Sequence, residues 1–201
     1  MTNYSTRQQA QLQRFLEWVK TEGGVEGPTQ LKTLFKPYQL ARLAWLKENV
    51  AGYTLEVGCS YGAVLAYVGG HVGVDIAPLN IELARILSND LEFQVANALA
   101  LPFPNKAFQT VAIPDTLEHL DFPEGVRLAI QEACRVSWQR VLVTMPDGAE
   151  DTEDATNFKH QFLLDEHTLA ELLEMFPPGG KTTVKRTKEF VLIRHELEAH
   201  L

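Results

Sequence analysis

The segment at residues 55–62, Leu-Glu-Val-Gly-Cys-Ser-Tyr-Gly, places two glycines four positions apart directly after a short apolar run. A glycine turn lets the backbone approach a ligand closely. A second apolar run ends in the lone acid Asp75, whose carboxylate can accept hydrogen bonds from both hydroxyls of a ribose. The order of turn, short helix and acid therefore predicts a nucleoside-binding site. A purely structural turn between two strands is the alternative reading of the glycines.

The elements that must position this site follow an alternating pattern. Apolar runs predict strands at residues 53–57, 71–74, 91–95, 110–113 and 140–144. Helical periodicity predicts helices at 62–68, 78–89, 124–136 and 165–176, the last with Asp165 as its N-cap. Strands that alternate with helices indicate a parallel sheet covered on both faces.

The end of the chain breaks this alternation. The runs at 182–186 and 190–195 are separated by only a few residues, and a parallel crossover needs a dozen or more, so these runs predict an antiparallel hairpin. The predicted fold is α/β, a Rossmann-like three-layer sandwich whose seven-stranded, mostly parallel sheet ends in a C-terminal antiparallel hairpin.

The N-terminal quarter is predicted to be helical. Residues 6–21 carry an amphipathic stripe, and a second helix begins at Pro37. One face of that second helix is predicted to carry Leu40, Leu43, Ala44 and Lys47. The chain is thus divided into an N-terminal helical cover, residues 1–50, and a nucleoside-binding domain, residues 51–201. In the helix at 78–89, one face is predicted to carry Leu79, Leu83, Ile86 and Leu87.

Composition limits the partners. The 201 residues carry a net charge of −8 and 45% hydrophobic residues, which is ordinary for a globular protein and disfavours tight binding to nucleic acid. Two cysteines do not suggest a disulfide framework, and no His, Cys, Asp or Glu group has metal-site spacing. No apolar run is long enough to span a membrane. We expect a cytoplasmic protein, a monomer or homodimer, without a membrane or metal partner.

Four motifs in order resemble the class I S-adenosylmethionine-dependent methyltransferases, especially those acting on small molecules. Residues 56–62 match the family's acid-x-Gly-x-Gly-x-Gly motif, with Ser60 at the middle glycine, and Asp75 matches the acid of the second motif. Residues 97–103, Asn-Ala-Leu-Ala-Leu-Pro-Phe, are similar to an Asp-Ala-x-x-Leu-Pro-Phe motif. Residues 115–120 contain Leu-Glu-His-Leu. The resemblance extends over about residues 50–196, through residues 132–136 and the terminal hairpin.

The resemblance implies S-adenosylmethionine as the cofactor and assigns its binding residues. The amino-acid end is implied to lie at Glu56 and the turn, the ribose at Asp75 and Ile76, the adenine at residues 97–99, and the methyl group beside Asp115. The full set of expected cofactor-binding residues is Glu56, Gly58, Cys59, Ser60, Gly62, Asp75, Ile76, Asn97, Ala98, Leu99, Asp115 and Thr116. A nicotinamide or flavin site is the rival, because Gly58, Ser60 and Ala63 fit its glycine frame apart from the middle position.

The methyl acceptor is predicted less fully. His119 is a candidate general base, although it could equally orient the loop before the next helix. Tyr38 and His160 are candidate acceptor-binding residues. The acidic segment at 147–154 is either a solvated loop or a lid that selects a cationic substrate.

The expected function is methyl transfer to an O, N or C nucleophile of a small molecule. The alternatives are an S-adenosylmethionine-binding regulatory or scaffold protein with little catalysis, and a methyltransferase that acts on protein or RNA.

Overall fold

A computed structural model of the protein describes residues 37–147 and 161–198. The helices in these residues are α1 (Pro37–Asn49), α2 (Ala63–Val68), α3 (Pro78–Leu87), α4 (Glu124–Val136), α5 (Glu166–Glu174) and a 3-10 helix (Leu117–His119). The strands are β1 (Thr54–Val57), β2 (Val72–Asp75), β3 (Glu92–Val95), β4 (Phe108–Pro114), β5 (Ser137–Pro146), β6 (Lys181–Arg186) and β7 (Phe190–Glu196).

The strands form one seven-stranded sheet in the order β3-β2-β1-β4-β5-β7-β6. Strands β1 to β5 pair in parallel, and β7 runs antiparallel to both β5 and β6. The predicted fold class and the terminal hairpin are therefore confirmed. The strand order reverses between β1 and β4, and ligands of such sheets bind at the carboxyl ends of the strands beside this reversal.

Both faces of the sheet are covered, and alternate residues of each strand point to opposite faces. Leu55, Val57, Val111 and Val143 join α4 and α5 in the main core. Ala112 and Leu142 face the other way and pack with Leu46 of α1 and Val68 of α2. Glu56 pairs in register with Ala112, so its carboxyl group lies on the α1 face. This placement brings a charged side chain of the first motif next to the helix that precedes the domain.

The face predicted for α1 is only partly its buried face. Leu43 is buried, but Lys47 is exposed and its ammonium group lies 5.1 Å from the centre of the Tyr67 ring. The helix instead buries Arg42 and Leu46. Arg42 can lie on the buried face because it has polar partners inside the protein. The apolar periodicity of the helix does not reveal these partners.

The face predicted for α3 is only partly its buried face. Leu79 and Ile86 are 64% and 60% exposed, whereas Ile81, Ala84 and Leu87 are buried. The small residue Ala84 lets the helix approach the sheet beside Phe93, so packing followed residue size rather than the strongest apolar stripe.

Helix α5 begins where the sequence predicts. Asp165 Oδ1 accepts a hydrogen bond from the backbone nitrogen of Thr168, and the backbone nitrogen of Asp165 donates one to Thr168 Oγ1. This reciprocal cap confirms the predicted N-cap.

Several predictions concern residues outside those that the structure describes. The helix at 6–21, most of the acidic segment at 147–154 and His160 are among them. In residues 37–147 and 161–198, no helix is long and apolar enough to cross a membrane.

Candidate functional site

The turn after β1 is built on two glycines with left-handed backbone conformations. Gly58 and Gly62 both have φ of 74°, which L-residues with a Cβ atom rarely adopt. A Cβ atom on Gly58 would lie 2.1 Å from Thr116 Oγ1, and one on Gly62 would lie 2.5 Å from Phe93 Cζ. Neither position has space for a side chain, so the turn packs directly on its neighbours.

Asp75 is held at the end of β2 by donors from two segments. The backbone nitrogen of Ser60 donates to Asp75 Oδ2 at 2.9 Å. The backbone nitrogen of Ala77 and the side-chain amide of Asn80 donate to Oδ1 at 2.9 and 3.1 Å. The carboxylate is partly exposed, so its remaining lone pairs can accept ligand hydroxyls. Asn80 is a residue of the site that sequence analysis missed.

Glu56 contacts α2, the helix that follows the same turn. Its side chain is buried, and the backbone N–H of Leu65 donates to its carboxyl group. Burial raises its pKa well above the ordinary value, against the opposing effect of Arg42. Within the described part of the chain, Oε2 of Glu56 has no hydrogen-bond partner. A buried carboxyl oxygen without a partner fits an additional donor from a ligand.

Cys59 and Ile76 lie at the site in different ways. The Cys59 side chain is buried beside Gly73 and Phe93, and burial raises the pKa of its thiol. Cys59 therefore contributes only its backbone to the turn. Its carbonyl accepts a hydrogen bond from the backbone nitrogen of Gly62. Ile76 is 69% exposed, so its apolar side chain is available to cover a ligand.

The loop after β3, residues 96–105, begins with a tight turn at Asn97. The Asn97 side-chain oxygen accepts from the backbone nitrogen of Leu99 at 2.9 Å, and its carbonyl accepts from Ala100 at 3.0 Å. This arrangement leaves the side-chain NH₂ group of Asn97 as the donor that faces outward.

The same loop is pinned by two residues of α4. Arg135 donates to the carbonyls of Leu101 and Phe103 at 3.0 and 2.8 Å. Glu132 accepts from the backbone nitrogen of Leu101 at 2.7 Å and pairs with Arg135. These contacts give a physical reason for the 132–136 motif, which sequence analysis noted without assigning it a role.

The loop after β4 carries Asp115 and Thr116. Asp115 has a left-handed φ of 45°, an uncommon conformation for a residue with a side chain. Thr116 donates to the carbonyls of Val57 and Pro114 at 3.3 and 3.0 Å, and its side chain fills the space beside Gly58. The loop and the glycine turn are therefore in direct contact.

Arg42 of α1 is the main residue that sequence analysis missed. It is 3% exposed, and its Nη1 lies 2.6 Å from Asp115 Oδ2. In the sequence, Arg42 is a charged residue within an amphipathic helix. Its partner Asp115 is distant in sequence, so no local pattern identifies the pair.

Glu118 and His119 follow in the 3-10 helix. Glu118 is buried, and burial together with the charge of Asp115 raises its pKa well above the ordinary value. His119 is half-buried, and its role as a base stays a prediction. Tyr38 lies in the first turn of α1, but its side chain is outside the described part of the structure, as is His160.

The described residues contain no group of three or more His, Cys, Asp or Glu residues placed to hold a metal ion. The candidate site thus consists of a glycine turn, partly exposed acids and amide donors at the carboxyl ends of β1 to β4.

Comparison with known proteins shows which domain and fold this chain is similar to. A family model described as a methyltransferase domain matches residues 55–139. A SAM-dependent methyltransferase from Thermotoga maritima, described as a possible histamine N-methyltransferase, has a TM-score of 0.66 at 18% identity, with 92% of this chain and 98% of that chain covered. Residues 55–139 therefore match a methyltransferase domain, and the chain has the fold of S-adenosylmethionine-dependent methyltransferases.

Two further structures resemble the methyltransferase. A SAM-dependent methyltransferase from Aquifex aeolicus has a TM-score of 0.64 at 17% identity, with 84% of this chain and 97% of that chain covered. A geranyl diphosphate methyltransferase in complex with GPP and sinefungin has a TM-score of 0.61 at 14% identity, covering 79% and 78% of the two chains. At these identities the likeness shows the shared fold. No curated protein matches the sequence significantly.

The site of this methyltransferase fits its cofactor, S-adenosylmethionine. Gly58 leaves backbone where a Cβ atom would collide, Asp75 offers partly exposed carboxylate oxygens, and Glu56 has a buried oxygen without a described partner. Arg42 lies before the segment that the family model matches. The partner of Asp115 thus lies outside the matched segment.

Proposed function

We propose that this methyltransferase transfers a methyl group to an O, N or C nucleophile of a small molecule. The observation that carries the proposal is the alignment of Asp75, Asn97 and Asp115 at the carboxyl ends of three strands in one parallel sheet. We place the cofactor at this edge, across β3, β2, β1 and β4, with the methyl group near β4.

The acceptor class is supported by charge and by similar proteins. A net charge of −8 disfavours RNA as the acceptor. Two structures of the same fold are described as a possible histamine N-methyltransferase and as a geranyl diphosphate methyltransferase. Both descriptions name small molecules, which favours a small acceptor over a protein for this chain as well.

The proposed contacts start from three groups: the partly exposed Asp75 carboxylate, the amide of the exposed Asn97, and Glu56 Oε2, which has no described partner. Asp75 accepts from the ribose hydroxyls, and the Asn97 amide donates to the adenine edge. Ile76, Ala98 and Leu99 pack on the adenosine. The backbone of residues 58–62 and the side chain of Glu56 bind the amino-acid end of the cofactor.

The bound cofactor supplies an electrophilic methyl group. The protein's contribution is to orient the acceptor in line with it and to exclude water, which accounts for much of the rate enhancement in such transfers. A base is required only for an acceptor that must lose a proton. His119 follows the methyl end of the proposed site and is the proposed base.

Calorimetric titration tests the proposed cofactor site. S-adenosylhomocysteine should bind the full-length protein, while NAD should not. Asp75→Ala should weaken S-adenosylhomocysteine about 10- to 100-fold because a charged, two-oxygen ribose contact is lost. Asp90→Ala is the matched control, since Asp90 is exposed before β3, at the opposite edge of the sheet. Equal affinity in wild type and Asp75→Ala contradicts the proposed placement.

Turnover with a panel of small amines, phenols, carboxylic acids and active-methylene compounds tests the acceptor proposal. Formation of S-adenosylhomocysteine with a small acceptor is the expected result. Tight cofactor binding without turnover of any small acceptor favours the scaffold alternative, and turnover only with protein or RNA favours the macromolecular one.

A cytoplasmic location also stays a proposal. Cys59 and Cys134 are both free thiols, as is usual for proteins of reducing compartments.

A further inference from the structure

Arg42 connects α1 to the carboxyl ends of β4 and β5. Its Nη1 lies 2.6 Å from Asp115 Oδ2 and 3.3 Å from Thr144 Oγ1. Its guanidinium carbon lies 5.2 Å from the centre of the Phe190 ring. The charge is therefore enclosed by a carboxylate, a hydroxyl group and an aromatic face.

Both oxygens of the Asp115 carboxylate are held by this arrangement. Thr144 Oγ1 donates to Asp115 Oδ1 at 3.0 Å while Arg42 pairs with Oδ2. The backbone nitrogen of Asp115 donates to the Thr144 carbonyl at 2.8 Å. Among the described residues, no other cation pairs with Asp115. The orientation of this side chain thus depends on Arg42 and Thr144.

Asp115 needs such support because its backbone is strained. A φ of 45° costs free energy for a residue with a Cβ atom and persists where surrounding contacts fix it. The next residue, Thr116, contacts Gly58 so closely that a Cβ atom there would lie 2.1 Å from Thr116 Oγ1. A shift of Asp115 therefore moves Thr116 against the glycine turn.

The charges around Arg42 reinforce this dependence. Asp115 pairs with Arg42, and Arg42 opposes the upward effect of burial on the pKa of the buried Glu56 and Glu118. The charge of Asp115 raises the pKa of both glutamates, so without Arg42 the three carboxyl groups lack its compensating charge. The repulsion favours a different position of the loop after β4.

We propose that Arg42 is a positioning residue of the cofactor site, which acts through Asp115 and Thr116 on the amino-acid end of S-adenosylmethionine. The inference rests on the proposed function, which puts that end of the cofactor beside β4 and the glycine turn. It assigns part of the cofactor affinity to a helix outside the matched methyltransferase segment.

The test compares Arg42→Met with Arg140→Met in the full chain. Arg140 also joins α1 to the sheet, because its Nη1 donates to the Asn49 carbonyl at 2.8 Å and its Nε lies 3.3 Å from Glu196. It lies at the start of β5, at the opposite edge from the site. Thermal unfolding reports stability, and calorimetry with S-adenosylhomocysteine reports cofactor affinity.

Arg42→Met should weaken S-adenosylhomocysteine about 3- to 30-fold, the range of coupling through packed contacts. Arg140→Met should lower the melting temperature without this loss of affinity. Arg42→Lys should restore part of the affinity. An ammonium group can pair with Asp115, but it cannot contact Asp115 and Thr144 together as the guanidinium group does. In Asp115→Asn, adding Arg42→Met should cause little further loss of affinity.

Thr144→Val covers the case in which Arg42→Met does not fold. It removes only the hydroxyl group that donates to Asp115 Oδ1 and should weaken binding in the same direction by a smaller factor. Unchanged affinity in the folded Arg42 or Thr144 variants overturns the inference while the proposed function stands. Failure of the wild-type protein to bind S-adenosylhomocysteine overturns both.

Discussion

Two loops at the carboxyl edge of the sheet are each held by one arginine, and the two arginines work in different surroundings. Arg135 anchors the loop after β3 from a side chain that is 31% exposed and pairs with its neighbour on the same helix turn, Glu132. Arg42 anchors the loop after β4 from a buried position and pairs across the fold with Asp115. The first loop is proposed to bind adenine and the second to lie beside the amino-acid end of the cofactor.

The difference shows how burial changes the consequence of an ion pair. An exposed pair is screened by water and contributes little by itself. A buried pair is costly to form, but removing one partner leaves an uncompensated charge inside the protein. Arg135 combines its pair with hydrogen bonds to two backbone carbonyls, whereas Arg42 combines its pair with the Thr144 hydroxyl group and the Phe190 ring.

The largest expected effect is therefore the loss of stability in Arg42→Met. We expect unfolding to become easier by about 2–3 kcal/mol, because the contacts of the buried Arg42 side chain are lost and the Asp115 carboxylate, which is 28% exposed, loses its partner. Denaturant titration of wild type, Arg42→Met and the double variant with Asp115→Asn measures it. The double variant should recover part of the loss. A double variant that is less stable than either single one contradicts the idea of an uncompensated charge.

Arg135→Met should have a smaller effect, about 1–2 kcal/mol, since its hydrogen bonds exchange with water at a partly exposed site. The same denaturant titration compares it with Arg42→Met. Arg127→Met is a suitable control, because Arg127 is exposed and lies 3.8 Å from Glu124 on the same helix. A loss in Arg135→Met that equals or exceeds that of Arg42→Met contradicts the comparison based on burial.

The pH dependence of stability should differ in sign between the two loops. Burial raises the pKa of Glu118, so its contribution to stability is present below about 4.5 and is lost as the pH rises toward the folded-state value. The hydrogen bonds from Arg135 lower the pKa of Glu132, so its contribution is present above about 4.5 and is lost as the pH falls.

Glu118→Gln should consequently raise the melting temperature by a few degrees at about pH 8. The gain should shrink as the pH is lowered. Glu132→Gln should lower it near about pH 8, and the deficit should shrink in acid. Melting curves of the two variants and wild type across this range measure both. Differences of the same sign at neutral pH contradict the assigned surroundings of the two glutamates.

The sequence was sufficient for the features that depend on local pattern. Alternating apolar runs predicted the strands and the closing hairpin, and the glycine turn with Asp75 predicted where the site lies. Asp165 was found as an N-cap because capping depends on neighbouring residues alone. The loop motif at 97–103 was identified, and its anchors Glu132 and Arg135 lay in a segment already noted.

The features that depend on distant contacts could not be predicted. Arg42 pairs with a residue in another strand–loop segment, and periodicity grouped Lys47 rather than Arg42 with Leu43. Periodicity likewise grouped the exposed Leu79 and Ile86 with the buried Leu87, and the small Ala84 lies on the side of α3 that meets the sheet. The burial of Glu118 follows from its place in a 3-10 helix against the core, which one sequence does not show.

The most direct test of the account is the relative affinity of S-adenosylhomocysteine and 5′-methylthioadenosine for the two arginine variants. The two ligands share the adenosine, but 5′-methylthioadenosine lacks the amino-acid end. Arg42→Met should weaken S-adenosylhomocysteine and leave 5′-methylthioadenosine nearly unchanged, whereas Arg135→Met should weaken both by a similar factor. Equal losses of both ligands in Arg42→Met, or loss of S-adenosylhomocysteine alone in Arg135→Met, contradict the division of the cofactor between the two loops.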